Sequence, residues 1–469
     1  MQTGFLQKWI QRARGLAAGT AAITALSCAS ARLEAVEPVL QTLHSFSHFD
    51  SGPWAPASLI EVGNGIFYGT SAFGGVNDCG TLFRLSTTTG VLTNLFSFSG
   101  TDGWDVTGVT RGEDGNFYGS AWGGGNQGPD FVDGPGTLFR ITTNGDMTLL
   151  FTFSGPDGRN PIGPLFRVGA DFYGITLWGG DDNYGTVFRV TTNGDLTTLT
   201  SFHGTNGCNP GAGLVLGADN NLYGTTQYGG NGFSGAFTGD GTVFRLTTNG
   251  VLTTLNFFDG TNGSEPVCVL VSGGNGRLFG TTAYGGSAGY GTVFEITTNG
   301  ALTTLFSFNG TNGRLPFASG LVIGNDGNLY GCTALGGTYN KGTVFRMTTN
   351  GSLTILAHIN GTNGNRPQTS MIIGSDGNLY GPMADVDGQH PGNIFRLVQP
   401  PVLGITSSDA NVLLAWNSFT NGRYRIERKS SLADAGWTPL SNFTASGNTA
   451  TVVDPRESGQ SFYRVVLLP

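Results

Sequence analysis

The sequence predicts an all-β protein: a seven-bladed β-propeller closed by an N-terminal strand, followed by a small β-sandwich. Three observations lead to this prediction. A Gly-Thr-[Val/Leu]-Phe-Arg motif recurs seven times, once with Glu for Arg and last as Gly-Asn-Ile-Phe-Arg. Glycine supplies 79 of 469 residues, and the repeat of about 50 residues ends near residue 398. With 32 phenylalanines present as well, these glycines indicate short strands joined by tight turns.

Residues 1–31 have the features of a secretory signal peptide. We expect cleavage after Ala31 and a secreted or cell-surface location, reached by bacterial-type export. A lipoprotein site at Cys28 is the alternative, although Ala25 stands where a leucine is usual. The features are a basic start, an apolar run and a small-x-small site, at Lys8, Arg12 and Arg14, Gly15 to Leu26, and Ala29-Ser30-Ala31.

The charge balance disfavours two classes of partner. Removal of residues 1–31 would take away three positive charges and change the net charge from −8 to −11. Nucleic acids and anionic membranes attract basic surfaces, so we expect neither as a partner. No stretch of the mature chain approaches the roughly 18 apolar residues of a spanning helix, so we expect no membrane span. We expect a monomer.

The repeat is defined by two motifs that keep the same order. Within residues 321–359, for example, we predict strands at 321–323, 328–331, 343–347 and 353–356, with Asp-Gly and Asn-Gly turns in the two hairpins. Four antiparallel strands in about 50 residues are typical of a propeller blade. The motif phenylalanines are Phe83, Phe139, Phe188, Phe244, Phe294, Phe345 and Phe395, and the [Leu/Phe]-[Tyr/Phe]-Gly aromatics are Tyr68, Tyr118, Tyr173, Tyr223, Phe279, Tyr330 and Tyr380.

The two ends of the repeat array complement each other. Residues 40–46 have the form of a fourth strand, whereas the last repeat supplies three strands and ends at Phe395-Arg396-Leu397. Pairing of the N-terminal strand with that third strand would complete the seventh blade and remove an open edge. We therefore predict a propeller over residues 32–398.

The repeats resemble a known family, the GloVer tandem-repeat proteins of the choice-of-anchor type. The resemblance rests on Gly-Thr-Val-Phe-Arg-x-Thr-Thr-Asn-Gly, Leu-Thr-Thr-Leu-Phe-Ser-Phe-Asn-Gly-Thr-Asn-Gly and Gly-Asn-Leu-Tyr-Gly-Thr-Thr, over about residues 39–398. It implies a repeat scaffold of uncharacterised molecular function. The tail of this chain departs from the family pattern, because it shows no hydrophobic anchor with a basic end.

Residues 399–401 mark a linker, and residues 402–469 follow a different pattern. Alternating apolar residues predict strands at 411–416, 424–428, 449–453 and 461–466. This segment resembles a short fibronectin type III module, with Trp416 as its core tryptophan and Tyr463 as its late-strand tyrosine. Such modules commonly space or attach their neighbours.

One propeller face is expected to carry the variable loops. The Gly-Thr-Asn-Gly links and the Gly-Gly loops emerge on the same side, which we call the looped face. Its loops are longer in repeat two (residues 125–135) and repeat four (residues 231–240), and rigid scaffolds commonly bind ligands through such loops. Neutral drift in loop length is the alternative interpretation.

Aromatic residues on this face form the candidate ligand-binding set. Some occupy one repeat position just before Gly-Gly, others lie in the insertions, and Trp104 follows the first link. Flat rings suit stacking on sugars, but a ring repeated in each blade is more often packing between blades. The candidates are Phe73, Trp104, Trp122, Phe131, Trp178, Tyr228, Phe233, Phe237 and Tyr284.

Several recurring polar residues have a structural interpretation. Asp114, Asp219, Asp326 and Asp376 occupy the first hairpin and are predicted to be turn residues. An arginine follows the motif phenylalanine in six repeats, with Glu295 as the exception. We expect each arginine to lie between blades and to bond a backbone carbonyl or an aspartate, the alternative being an anion-binding ring.

No catalytic signature or metal site is predicted, and no cofactor. Four cysteines of the mature chain fall at different repeat positions, so we expect no disulfide framework. They are Cys79, Cys208, Cys268 and Cys332, and the one bridge considered is Cys208 with Cys268. A weak cation site at Asp181-Asp182 or Asp385-Asp387 is the remaining metal candidate.

The sequence thus predicts a binding protein that recognises a polysaccharide or a surface protein through the looped face. Two alternatives stay open. One is a polysaccharide-active enzyme with carboxylates at the central channel, and the other is a purely structural envelope protein.

Overall fold

The computed structural model describes residues 38–46, 53–125, 134–235, 237–316, 320–367, 369–383 and 392–399 of the repeat region. In the C-terminal part it describes residues 403–408, 411–418, 423–431, 433–434, 436–446, 449–455 and 461–468. The predicted signal peptide, Cys28 and most of the predicted linker lie outside these ranges.

The described chain is all-β, and it consists of many antiparallel sheets without a helix. Within the described repeat region there are six four-stranded sheets and one five-stranded sheet. No helix among the residues described is both long and apolar enough to cross a membrane.

The first three sheets follow one another along the chain after an initial strand, β1 (Val39–Ser45). Each sheet places its strands in chain order, so every connection within it is a hairpin. Sheet 1 contains β2 (Pro53–Gly63), β3 (Ile66–Gly74), β4 (Thr81–Ser86) and β5 (Leu92–Ser97); sheet 2 contains β6 (Trp104–Arg111), β7 (Phe117–Gly123), β8 (Thr137–Ile141) and β9 (Met147–Thr152); sheet 3 contains β10 (Arg159–Val168), β11 (Asp171–Trp178), β12 (Thr186–Val190) and β13 (Leu196–Ser201).

The next three sheets repeat this order, with a first strand broken in two in sheet 4. Sheet 4 contains β14 (Cys208–Pro210), β15 (Val215–Leu216), β16 (Leu222–Tyr228), β17 (Thr242–Leu246) and β18 (Leu252–Phe257); sheet 5 contains β19 (Val271–Gly274), β20 (Arg277–Thr282), β21 (Thr292–Thr297) and β22 (Leu302–Ser307); sheet 6 contains β23 (Val322–Ile323), β24 (Leu329–Thr333), β25 (Thr343–Met347) and β26 (Leu353–His358).

Sheet 7 joins the two ends of the array. It contains β27 (Ile372–Ile373), β28 (Leu379–Met383) and β29 (Asn393–Val398), and its fourth strand is β1. β1 runs antiparallel to β29, with Val39 opposite Val398 and Thr42 opposite Phe395. The pairing between the N-terminal strand and the third strand of the last repeat is therefore the one that the sequence predicts.

A glycine–phenylalanine pair across two strands explains why both motifs recur. Gly174 on β11 lies opposite Phe188 on β12, and a Cβ on this glycine would overlap the phenylalanine ring. Glycine in a strand commonly marks such a close approach. The same pairing occurs in all seven sheets, and each of the seven motif phenylalanines is fully buried.

Buried clusters join each sheet to the next. Tyr68 of sheet 1 packs on Phe117 of sheet 2 with ring centroids 4.4 Å apart, and Tyr118 of sheet 2 packs on Phe172 of sheet 3 at 4.4 Å. Six clusters of described residues combine consecutive sheets in this way. A seventh combines sheet 7 with sheet 1 through Tyr380 and Phe67.

The first hairpins are held by an aspartate that accepts hydrogen bonds. In repeat two, Asp114 accepts from the Tyr118 hydroxyl at 2.8 Å and from the Asn116 amide at 2.6 Å. Burial alone would raise the pKa of Asp114, but these hydrogen bonds lower it overall. Asp219, Asp326 and Asp376 make the same contacts, so the turn prediction agrees with the geometry.

The motif arginines have varied partners. Arg189 pairs with Asp171 at 3.3 Å, as predicted, whereas Arg140 donates to the Thr148 hydroxyl and Arg396 donates to Gln41. The side-chain oxygens of Thr148 and Gln41 are thus partners that the sequence did not predict.

Repeat five exchanges its charges as a unit. Glu295 replaces the motif arginine, and Arg277 stands where repeats two, four, six and seven carry asparagine. Arg277 forms two hydrogen bonds to Glu295, at 2.7 and 2.6 Å, and its guanidinium lies 5.0 Å from the centre of the Phe279 ring. Repeat five therefore keeps an arginine, but places it on the neighbouring strand of the same sheet.

The C-terminal part contains two three-stranded sheets. Residues of both sheets form one buried cluster around Trp416, Tyr424 and Tyr463. All four predicted strands are present, but the sequence missed β30 and β33, each of which carries only two large apolar side chains. The sheets are β30 (Leu403–Ser407), β31 (Asn411–Asn417) and β34 (Thr449–Pro455), and β33 (Thr438–Thr444), β32 (Arg423–Lys429) and β35 (Phe462–Leu468).

Candidate functional site

The looped face is held together by a hydrogen bond that recurs in four repeats. The second glycine of each Gly-Gly loop donates its backbone N–H to the link before the first strand: Gly180 to Gly155, Gly230 to Gly204, Gly286 to Gly260 and Gly337 to Gly310, all at 2.8 to 2.9 Å. The links and the loops therefore form one surface, and side chains on either can meet.

Consecutive repeats are joined at this face by residues with positive φ. Asn160, Asn209 and Glu265 have φ values of 55°, 52° and 53°. The backbone N–H of each donates to a carbonyl of the preceding repeat, at Pro135, Tyr184 and Asp240 respectively. Left-handed backbone costs a non-glycine residue roughly 1 to 3 kcal/mol, and these bonds between repeats help to offset that cost.

The aromatic position before Gly-Gly has a fixed backbone. The Thr176 hydroxyl donates to the Trp178 carbonyl at 2.8 Å, and the Thr226 hydroxyl donates to the Tyr228 carbonyl at 2.9 Å. Ser71 and Thr282 do the same for Phe73 and Tyr284. Each ring therefore projects from a defined point at the end of its strand.

Three of the predicted aromatics converge in what we call the Trp178 cluster, namely Trp178, Phe237 and Tyr228. The ring of Phe237 lies 5.4 Å from that of Trp178 and 5.6 Å from that of Tyr228, edge to face in both cases. Phe237 comes from the insertion of repeat four and keeps 61% of its surface exposed. The cluster thus bridges repeats three and four and remains open to solvent.

Polar groups lie directly beside this cluster. The Gln227 amide donates to Tyr228 Oη at 3.0 Å and to Glu265 Oε2 at 2.9 Å, and the Tyr228 hydroxyl lies 3.4 Å from the same oxygen. Burial and the Glu265 carboxylate raise the pKa of Tyr228 to about 12. The phenol therefore stays protonated near neutral pH.

The insertion of repeat four is anchored by its other phenylalanine. The ring of Phe233 lies 5.4 Å from that of Tyr184 in repeat three. It also covers Gly204, where a Cβ would overlap the ring. Phe233 thus holds the loop down, while Phe237 lies at its exposed end.

A second aromatic group, the Trp104 cluster, lies between repeats one and two. The ring of Trp104 is 5.9 Å from Phe73 and 5.7 Å from Trp122. The neighbouring Asp105 has a φ of 57°, and burial raises its pKa to about 6. Its carboxylate accepts no hydrogen bond from any residue that the structure describes.

The remaining candidates have separate positions. Tyr284 is 45% exposed and makes no ring contact with a described residue. Phe131 lies outside the described residues. Sequence reasoning missed Tyr184, Gln227 and Glu265; the first precedes the Gly-Thr motif, and the other two adjoin the aromatic position and the link proline, so only their fixed repeat positions could have drawn attention to them.

The predicted cation and disulfide sites take other forms. Asp182 pairs with His203 Nδ1 at 2.9 Å, and Asp385 and Asp387 lie outside the described residues. No group of three His, Cys, Asp or Glu side chains that could hold a metal occurs in the described part of the chain. Cys79, Cys208, Cys268 and Cys332 are free and buried, so the bridge weighed between Cys208 and Cys268 is wrong.

These features define an all-β tandem-repeat protein with aromatic clusters on one face. The chain belongs to the Gloeobacter/Verrucomicrobia repeat family, whose model matches residues 128–237 and 233–451, more than half of the chain. This finding confirms the repeat family that the sequence motifs indicated. No curated protein shows significant similarity to the chain.

Three solved structures illustrate how distant the structural similarities are. A 6-phosphogluconolactonase-like protein from Bacteroides uniformis is 15% identical, with a TM-score of 0.46 over 82% of this chain and 98% of that chain. Puromycin hydrolase is 12% identical, with a TM-score of 0.49 over 81% and 61%. Exo-β-1,3-galactanase from Phanerochaete chrysosporium, in complex with β-1,3-galactotriose, is 11% identical, with a TM-score of 0.35 over 91% and 96%.

Proposed function

We propose that the chain is an exported, closed seven-bladed β-propeller that binds a carbohydrate through its looped face. Support for the closed form comes from the pairing of β1 with β29 and from the buried contact between Tyr380 and Phe67. In a closed ring each sheet packs against one neighbouring sheet on each side. The first and last repeats then contact each other, and neither end of the array is left exposed.

The C-terminal part is proposed to be a fibronectin type III-like β-sandwich that spaces or attaches the propeller. Two sheets sharing one core around Trp416 support this assignment. The propeller passes into this segment at Val398, where β29 ends opposite the start of β1. That end of the strand carries the short hairpins, so the connection leaves from the side opposite to the looped face.

The Trp178 cluster is the observation that carries the binding proposal. Sugar rings present flat C–H faces that stack on aromatic side chains, and their hydroxyls need donors and acceptors nearby. Trp178, Tyr228 and the exposed Phe237 supply the rings, while Gln227 and Glu265 supply the polar groups. A surface protein is the alternative ligand, since aromatic residues are also enriched at protein interfaces.

The test is a glycan array followed by titration calorimetry of each ligand found. Trp178→Ala and Phe237→Ala should each weaken binding at least tenfold, and Trp122→Ala reports separately on the Trp104 cluster. Tyr339→Ala is the matched control, because Tyr339 is 56% exposed on a Gly-Gly loop of the same face and has no ring contact with a described residue. Unchanged affinity in folded Trp178→Ala and Phe237→Ala variants would contradict the proposal, as would a bare array, which instead favours a structural envelope role.

A second candidate function is a polysaccharide-active enzyme, favoured by one observation. Asp105 adjoins the Trp104 cluster with a pKa raised to about 6 by burial, a value suited to general acid catalysis. Release of reducing ends from a bound polysaccharide, lost in Asp105→Asn, would support an enzyme. Intact polysaccharide after prolonged incubation with the wild-type protein would exclude it for that ligand.

Export is proposed on the sequence of residues 1–31. Mass spectrometry of the protein recovered outside the cytoplasm should give a mature chain beginning at Arg32. Recovery of an uncleaved chain in the cytoplasm would contradict export.

A further inference from the structure

Two oppositely charged side chains flank the Trp178 cluster. Arg159 on β10 is the cross-strand partner of Trp178 on β11. Glu265 accepts a hydrogen bond from the Gln227 amide, next to Tyr228. Arg159 belongs to repeat three and Glu265 to repeat five. The rings of the cluster, which come from repeats three and four, lie between these two side chains. One end of the surface is therefore cationic and the other anionic.

Both charged groups keep hydrogen-bonding capacity. Arg159 uses its Nε to donate to Asn160 Oδ1 at 3.1 Å, and its two terminal nitrogens donate to none of the described residues. Glu265 uses Oε2 for Gln227 and Tyr228, while its Oε1 accepts nothing from the described part of the chain. The site thus offers free donors at one end and a free acceptor at the other.

Repeat four supplies the exposed ring of this arrangement and the bond that holds its carboxylate residue. Its insertion contributes Phe237, and the last residue of that insertion, Asp240, accepts the backbone N–H of Glu265 at 3.0 Å. That bond holds Glu265 in its left-handed conformation, with a φ of 53°. The longer loop therefore supplies the ring, whereas Glu265 is held by the same kind of bond between repeats that Asn160 and Asn209 make.

We propose that the Trp178 cluster selects an uncharged pyranose and rejects both uronic acids and amino sugars. Hydroxyl groups donate and accept, so they can satisfy Arg159 and Glu265 at once. An oligomer that carries the same charge on every sugar unit meets like charge at one end of the cluster in either orientation. A polyuronate meets it at Glu265, and a polymer of amino sugars meets it at Arg159. This inference rests on the proposed carbohydrate-binding function and names its ligand class.

The experiment compares three sets of soluble oligosaccharides of equal length by titration calorimetry with the full exported chain. The sets are neutral hexose oligomers, oligogalacturonate and oligomers of glucosamine. For at least one type of glycosidic linkage, the neutral oligomers should bind at least tenfold more tightly than either charged set. Measurements at about 0.15 and 0.5 M salt separate the local effect from the long-range field of the acidic protein, because the Debye length falls to only a few ångströms at the higher salt.

Two variants test the assigned charges. Glu265→Gln should improve oligogalacturonate binding relative to neutral oligomers, and Arg159→Gln should do the same for glucosamine oligomers. Glu113→Gln is the matched control: Glu113 is exposed, lies in the first hairpin of repeat two and pairs with Arg167. It should leave both ratios unchanged.

The outcomes distinguish this inference from the proposed function. If no carbohydrate binds, or if Trp178→Ala leaves binding intact, the proposed function fails and this inference with it. If oligosaccharides bind through Trp178 but a charged set binds as tightly as the neutral set, only the ligand class is wrong. Unchanged selectivity in both charge variants would also overturn the roles of Arg159 and Glu265.

Discussion

The ring of Phe67 lies against the ring of Tyr380, with centroids 4.6 Å apart, although the two residues stand near opposite ends of the repeat array. The contact is equivalent to that of Phe117 with Tyr68 between the first two sheets. A junction between the last and first repeats therefore has the same form as a junction between consecutive repeats.

Phe67→Ala tests whether this junction stabilises the fold. We expect it to lower the free energy of unfolding by about 3 to 5 kcal/mol, as is usual for a fully buried phenylalanine. Urea denaturation followed by tryptophan fluorescence measures the change, with Phe117→Ala as the matched variant at an ordinary junction. A cost for Phe67→Ala far below that for Phe117→Ala would argue against a closed ring.

Removal of β1 tests the role of the N-terminal strand. A chain beginning at residue 47 loses the backbone bonds to β29 and the buried Phe46, and exposes an apolar strand edge. We expect a melting temperature several degrees lower than that of a chain beginning at residue 37, together with aggregation on heating. Identical melting of the two chains would contradict closure by β1.

The exchanged ion pair of repeat five predicts a double-mutant result. Glu295→Arg restores the motif residue but places it beside Arg277, so we expect a loss of roughly 1 to 2 kcal/mol in unfolding free energy from like-charge contact and the lost pair. Adding Arg277→Asn, the residue that other repeats carry there, should recover most of this loss. Urea denaturation of the two single variants and the double variant gives the coupling energy, and simple additivity would show that the two positions act independently.

Asp105 predicts a pH-dependent stability difference. Burial raises its pKa from 3.8 to about 6, so ionisation is penalised in the folded state. The free energy of unfolding should therefore fall as pH rises from about 4 to 6, because Asp105 must ionise in the folded protein over this range. Asp105→Asn removes the penalty and should add roughly 3 kcal/mol at pH 7.5 and almost nothing below pH 4.

Asparagine also suits the backbone at this position, because the equivalent residues of the next two repeats are Asn160 and Asn209, both with positive φ. The measurement is urea denaturation at pH 3.8 and pH 7.5, with the exposed Asp181→Asn as the control. An equal effect of Asp105→Asn at both pH values would show that the gain comes from the backbone alone.

Sequence patterns were enough to predict the four-stranded form of each repeat and the pairing of β1 with β29. Both follow from local rules: Asn-Gly and Asp-Gly turns set the hairpins, and each motif glycine needs a phenylalanine such as Phe188 across from it. The missing fourth strand of the last repeat could be counted from the residues alone. β30 and β33 carry only two large apolar side chains each, which is why the apolar pattern did not predict those two strands.

The composition of the candidate site follows from packing between repeats, which the sequence patterns do not encode. The sequence identified Trp178, Tyr228 and Phe237 as separate candidates, but their contacts depend on how the insertion folds back over repeat three, anchored by Phe233 on Tyr184. Glu265 joins them through a bond between repeats that no local pattern encodes. Side chains from different repeats meet only after the sheets have packed, so their convergence is a property of the assembled face and not of any one repeat.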